Sequence, residues 1–243
     1  MINRATSRTD VQRAGLGQPD VGAAWQDPAT AFTGWPRAAL DVLARLEGDP
    51  PPSLRERVRA DRERLVRAPM VAMLHDLAER DPAYGDHAVW RYASMARPWQ
   101  HQAAMIRIDR NIEIGLGFDL DGLQVQGAWW YGGPDQRERY RAAVAGRAGA
   151  RLQRVVDDLR SRSYAIEGDV MARVPRAYPA DHRRAELLRH RSLLAVRHFD
   201  VGDWLFDESA LDVLQATATE LRPMLEWLAE HVVTDSGPRH DPR

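Results

Sequence analysis

The chain contains no cysteine, which excludes disulfides, thiolate nucleophiles, Cys-ligated zinc and iron–sulfur clusters. It contains no lysine either, so all 34 basic residues are arginine. A Schiff-base lysine, a pyridoxal anchor and a Walker lysine are therefore excluded. Arginine stays protonated at any working pH, so it holds anions but serves poorly as a general base. Arginine throughout, beside abundant alanine, is what a GC-rich bacterial genome writes, and needs no functional reason. No apolar run approaches the ~18 residues of a membrane span. The first thirty residues are polar and lack an apolar signal core, so we expect a cytoplasmic protein without a signal peptide. Formal charge is -1, which leaves no global basic field for nucleic acid. We expect no membrane partner, no resident cofactor and no bound metal.

What remains is 243 residues, 44% apolar and 28% charged, enough for one globular domain. Residues 1–31 mix Gly, Asp, Arg and Pro without periodicity and read as a flexible arm; residues 234–243 read as a loose tail. Between them, 32–233 reads as a single α+β domain. A helix carries Ala39, Leu43 and Leu46 on one face and stops at Gly48. After three prolines, Ser53 and Glu56 suit the capping box of a second helix, which Pro69 should kink. Ile112 to Leu120 alternates apolar residues with Glu113, Gly115, Gly117 and Asp119, a half-buried strand. Asp121-Gly122 turns it into a strand over 123–131. Segments 89–95 and 105–109 add two more strands, and 164–167 and 192–199 complete an antiparallel sheet of five or six. Helices follow Pro134 and Gly149, a short one covers 183–189, and the last carries a 3,4-spaced stripe from Leu211 to Val232, with Pro223 inside it. That stripe suits a buried core helix better than a dimer seam.

Charge is unevenly placed. Residues 137–162 carry eight arginines and three acids, and 200–235 carry nine acids and one arginine. With a total near zero, the two stretches are expected to neutralise each other within the fold; a basic face left exposed would draw an acidic protein partner.

Few residues are candidates for chemistry. His182, Glu186 and His190 have metal-ligand types at i, i+4, i+8, but the outer two are about 12 Å apart along a helix and arginines crowd them. Gly115-Leu116-Gly117 lies within a strand and opens no phosphate-binding helix. His75-Asp76 and His198-Asp200 are half-dyads at most. The aromatics are more telling. Trp129 and Trp130 must point to opposite faces of their strand, one into the core and one toward a second layer or a pocket. Tyr92, Trp99 and Trp130 could wall a small-molecule cleft in which Arg91 and Arg97 clamp an anion. His101 is the nearby group suited to exchanging protons near neutrality.

From Phe32 to Val233 the chain resembles a mainly bacterial family known as domain of unknown function 2461. The resemblance rests on Leu40-Asp41-Val42-Leu43, on Ala68-Pro69-Met70, and on Gly127-Ala128-Trp129-Trp130 with Pro134 beyond. Its most specific stretch is Pro175-Arg176-Ala177-Tyr178-Pro179-Ala180-Asp181-His182, with Glu186-Leu187-Leu188-Arg189 after it. The family signature is Arg-x-x-Arg-Asp-x-Arg-Phe-x-x-x-Asp/Asn-Lys-x-x-Tyr. Arg91 and Arg97 fall on its first and third arginines, whereas Ser94, Met95, Pro98, Gln102, Ala103 and Ile106 replace the other fixed residues. The resemblance implies a shared scaffold and, in relatives with the full signature, an anion-binding or catalytic site; Arg176 is a further candidate to bind the ligand if it converges on Arg91, Arg97 and His101. A chain that has lost most of it is expected to be a non-catalytic binding or scaffold domain. The alternative is a protein or enzyme acting on an anionic ligand held by Arg91 and Arg97.

Overall fold

Alternation from Ile112 onward builds the centre of the sheet. The computed structural model describes residues 31–91, 99–130 and 132–233, and in it six antiparallel strands lie in the order β1-β2-β3-β4-β6-β5. They are β1 (His87–Val89), β2 (Gln102–Asp109), β3 (Ile112–Asp119), β4 (Gly122–Trp129), β5 (Ala165–Glu167) and β6 (Leu193–Asp200). The helices are α1 (Ala38–Ala44), α2 (Pro52–Arg62), α3 (Ala68–Arg80), α4 (Pro134–Ala145), α5 (Gly149–Ser161), α6 (Ala185–Leu188) and α7 (Ser209–Val232). The α+β class and the six-stranded count agree with the sequence. The arm through residue 30 and the tail from 234 lie outside the described residues, as does the predicted strand beyond Arg91.

Two local expectations need correction. Pro51, not Ser53, caps α2; its carbonyl accepts from Leu54 and Arg55, and Ser53 sits inside the first turn without a capping bond. Pro69 lies in the first turn of α3. The chain widens just before it into a π-helical turn, Glu63–Arg67. Such a turn is one way a helix takes up a residue that cannot continue its hydrogen-bond ladder. The β3–β4 turn lies at Leu120-Asp121, with Gly122 already paired to Asp119 and holding φ at +122°.

The sheet has two unlike faces, as period-two alternation requires. On one, Ile106, Ile114, Leu116, Phe118, Val125 and Trp129 join a single hydrophobic cluster with the helices. Trp35 stacks on Phe118 with ring centroids 4.6 Å apart and donates its Nε1–H to Val66 O within the π turn. Trp129 stacks on Tyr140 at 4.9 Å, and the Tyr140 hydroxyl donates to Leu187 O. The stripe of α7 lies against this face, with Leu214, Ala218, Leu221 and Leu228 fully buried. Helix and sheet meet closely at Gly127, where a Cβ would stand 3.0 Å from Leu221 Cδ2 and Met224 Cε.

Two arginines of the basic stretch, Arg151 and Arg162, meet acids of the acidic one, and Arg80 of α3 meets a third. Arg151 meets Glu230 at 3.0 Å, Arg162 meets Glu220 at 3.4 Å and Arg80 meets Asp212 at 2.7 Å. Exposed pairs like these add little stability each, but they cancel much of the acidic face of α7. No helix among the described residues is long and apolar enough to cross a membrane.

Gly127→Val should lower stability by about 1–3 kcal/mol through overpacking against α7. Gly127→Ala, whose single methyl meets only mobile side-chain ends, should lower it less. Urea unfolding midpoints check both.

Candidate functional site

The face of the sheet turned away from α7 gathers the polar residues. Register aligns Ala103, Gly117, Gln124 and His198 across four strands, and the next tier holds Met105, Gly115, Gln126 and Val196. Trp90 bonds through its N–H to Ala103 O, so alternation after Val89 sets it on the same face beside Ala103. Two side chains fill the space over the glycines. Gln126 lies over Gly115 and accepts from Gln124 Nε2 at 3.0 Å. His101 lies over Gly117, where a Cβ would come within 2.5 Å of the imidazole Cε1. Only a residue without a side chain lets the ring rest there.

His101 Nδ1 is 3.2 Å from Asp119 Oδ2. Partial burial works against the Asp119 carboxylate. The hydrogen bonds it accepts from His101 and the Asp121 N–H, with the charges of His101 and His198, outweigh that and hold its carboxyl below the usual carboxylate range. An ionised carboxylate only accepts, so Nδ1 carries the imidazole proton and the tautomer is set by its partner. A His–Asp pair in this arrangement can hold a polar group or exchange a proton with it.

Behind the pair stands a buried cation. Arg62, 3% exposed at the end of α2, donates to His101 O and Gln102 Oε1, both at 2.9 Å, and to Trp99 O at 3.4 Å. Gln102 in turn donates to Trp90 O and Ala103 O. Two turns earlier on α2, Arg55 lies over the Trp99 ring, 4.3 Å from its centroid.

Of the residues singled out from sequence, Trp99 and His101 belong to this assembly, and exposed Arg91 follows Trp90 at its border. Tyr92 and Arg97 lie outside the described residues. Trp130 is on the same face but at the opposite end, packed on Ala128, Leu194 and Val196. Its N–H bonds to Asn111 O, eight residues from Asp119 along the strand line, about 26 Å at ~3.3 Å per residue. Arg176 is exposed in a turn closed by Tyr178 N–H to Pro175 O. His182, Glu186 and His190 do not share a helix, because α6 is only four residues long. His182 accepts from Arg184 N–H, Glu186 pairs with Arg160, and His190 is buried on Ser192 O. Burial lowers the His190 pKa and keeps the ring neutral. Arg184 is occupied by the last carbonyls of α4, Val144, Ala145 and Gly146.

Sequence reading missed Asp119, Gly117, Arg62 and Gln102 as parts of one site. Period two places Gly117 and Asp119 on one face, a legible signal, but their meeting with His101 needs the β2–β3 register. Gln102 stands where the signature has Asp or Asn and keeps a buried side-chain acceptor there; Ile106, at the tyrosine position, is core.

The sequence profile of a family described as a conserved hypothetical protein (DUF2461) matches residues 93–227, more than half of the chain. The match leaves Arg91 just outside it. No curated protein and no solved structure matches the chain.

Because the fold lowers the Asp119 pKa, this carboxylate adds stability that is complete above its unfolded value of about 3.9 and is lost as pH falls through and below that value. Wild type should therefore exceed Asp119→Asn in urea midpoint at pH 7, with the gap narrowing below about pH 4. A gap constant from neutral to acid pH would contradict the assignment.

Proposed function

This chain belongs to the DUF2461 family of conserved hypothetical proteins, a kinship that passes on a scaffold and no reaction, and we propose that residues 32–233 act as one binding domain for a small anionic molecule. The ligand sits on the outer sheet face, at the end where His101 lies against Asp119. The observation that carries this reading is the His101–Asp119 pair set over Gly117. It is a preorganised polar contact on a floor of small residues, Gly117 and Ala103. Arg91, exposed next to Trp90 at that end, supplies attraction for an acidic group.

Binding is favoured over turnover by what surrounds the pair. Among the described residues of this face there is no hydroxyl or thiol nucleophile. Ala103 and Ile106 replace the lysine and tyrosine of the signature that the chain resembles. A scaffold that recruits an acidic protein through a basic face has less support, because α7 supplies carboxylates to Arg80, Arg151 and Arg162 from within the chain.

Thermal-shift screening against carboxylated and phosphorylated metabolites tests the proposal. A true ligand at a hundred times its Kd adds about 2.7 kcal/mol, a shift of roughly 5–10 °C for a domain of this size. The shift should be lost in His101→Gln and reduced in Asp119→Asn. If no compound stabilises the protein, or if stabilisation survives both substitutions, the reading fails.

A further inference from the structure

We infer that Arg62 is the positioning residue of the His101 face, and that the π-helical turn Glu63–Arg67 sets the direction in which it reaches. The inference deepens the binding reading and rests on it for the use His101 is put to. Arg62 lies on the helix layer, whereas the pair lies on the outer face of the sheet. What it holds is backbone. Its Nη2 donates to His101 O at 2.9 Å and its Nε to Trp99 O at 3.4 Å, while its Nη1 holds Gln102 Oε1 at 2.9 Å. Gln102 Nε2 carries the hold on to Trp90 O at 2.9 Å. The chain on either side of residues 91–98 is thus tied to one buried guanidinium.

With the main chain fixed on both sides of His101, only its own χ1 and χ2 decide where the ring lies. Gly117 leaves room beneath it and Asp119 offers the acceptor. The planar fork of arginine suits this task because its donors keep fixed directions, which an ammonium group cannot match. The direction depends on helix phase. Arg62 is the last residue before the π turn, and that turn contains an extra residue relative to an α-helix. An unbroken α-helix would turn α2 by about 100° relative to α3. Arg62 would then face away from β2, and Arg55, on the same side of α2, would leave the Trp99 ring.

The test reads the imidazole itself. Long-range 1H–15N spectra of the full chain report which His101 nitrogen carries the proton. In wild type the Nδ1–H tautomer should exceed the other by about tenfold, the scale of one good hydrogen bond. In Arg62→Gln the ratio should fall toward parity, and in Arg62→Lys, the variant more certain to fold, it should fall at least severalfold. Val58→Ala, a core truncation on the same helix, should lower stability and leave the ratio unchanged, which separates positioning from general loosening. An unchanged tautomer ratio in both Arg62 variants overturns the inference, as does a shift of equal size in Val58→Ala. A shifted ratio in a protein that binds none of the screened anions would uphold Arg62 as a positioning residue and remove only the binding reading.

Discussion

A guanidinium taken out of water must be surrounded by acceptors, since an unpaired buried charge costs several kcal/mol. Arg62 meets that demand with the carbonyls of Trp99 and His101 and the amide oxygen of Gln102. Those acceptors belong to chain that leads into the second strand of the sheet. The requirement therefore works in both directions: the strand entry satisfies the arginine, and the arginine fixes where the strand begins. Gln102, in register with Phe118, then starts the pairing of β2 with β3, and the position of His101 opposite Asp119 follows from that register.

The two faces of the sheet solve different problems with the same alternation. The inner face must exclude water, and it does so with aliphatic residues and two stacked aromatic pairs, Trp35–Phe118 and Trp129–Tyr140. Close approach of α7 is possible because Gly127 presents no side chain to it. The outer face uses glycine for another purpose. Gly115 and Gly117 give space to Gln126 and His101, so polar side chains lie flat on the strands where apolar neighbours would otherwise pack. Glycine is costly in a strand for reasons of backbone entropy, and its presence at two alternate positions of β3 is explained by what lies over it.

Electrostatics follows the same internal logic. The acids of α7 meet arginines from α3, α5 and β6, among them Glu220 with Arg162 and Arg197, and Glu230 with Arg151. Charge that looks segregated along the chain is mixed in space, because antiparallel packing brings the last helix against elements far from it in sequence. Each exposed pair contributes little to stability; together they reduce the field that would otherwise recruit a partner of opposite charge.

Local order in the amino acids was enough to specify the α+β class, most strand and helix positions, the opposite orientations of Trp129 and Trp130, and the burial of the Leu211–Val232 stripe, because periods of two and 3.6 residues are written into neighbouring positions. It could also single out Trp99 and His101 as unusual residues near the end of a strand. It could not join His101 to Asp119, separate Trp130 from them by about 26 Å, or reveal that Arg62 holds the strand entry. Each of these depends on strand register and helix phase, where a slip of one residue turns a side chain to the other face or through about 100°. Such choices are settled when distant segments pack, and tertiary structure alone decides them.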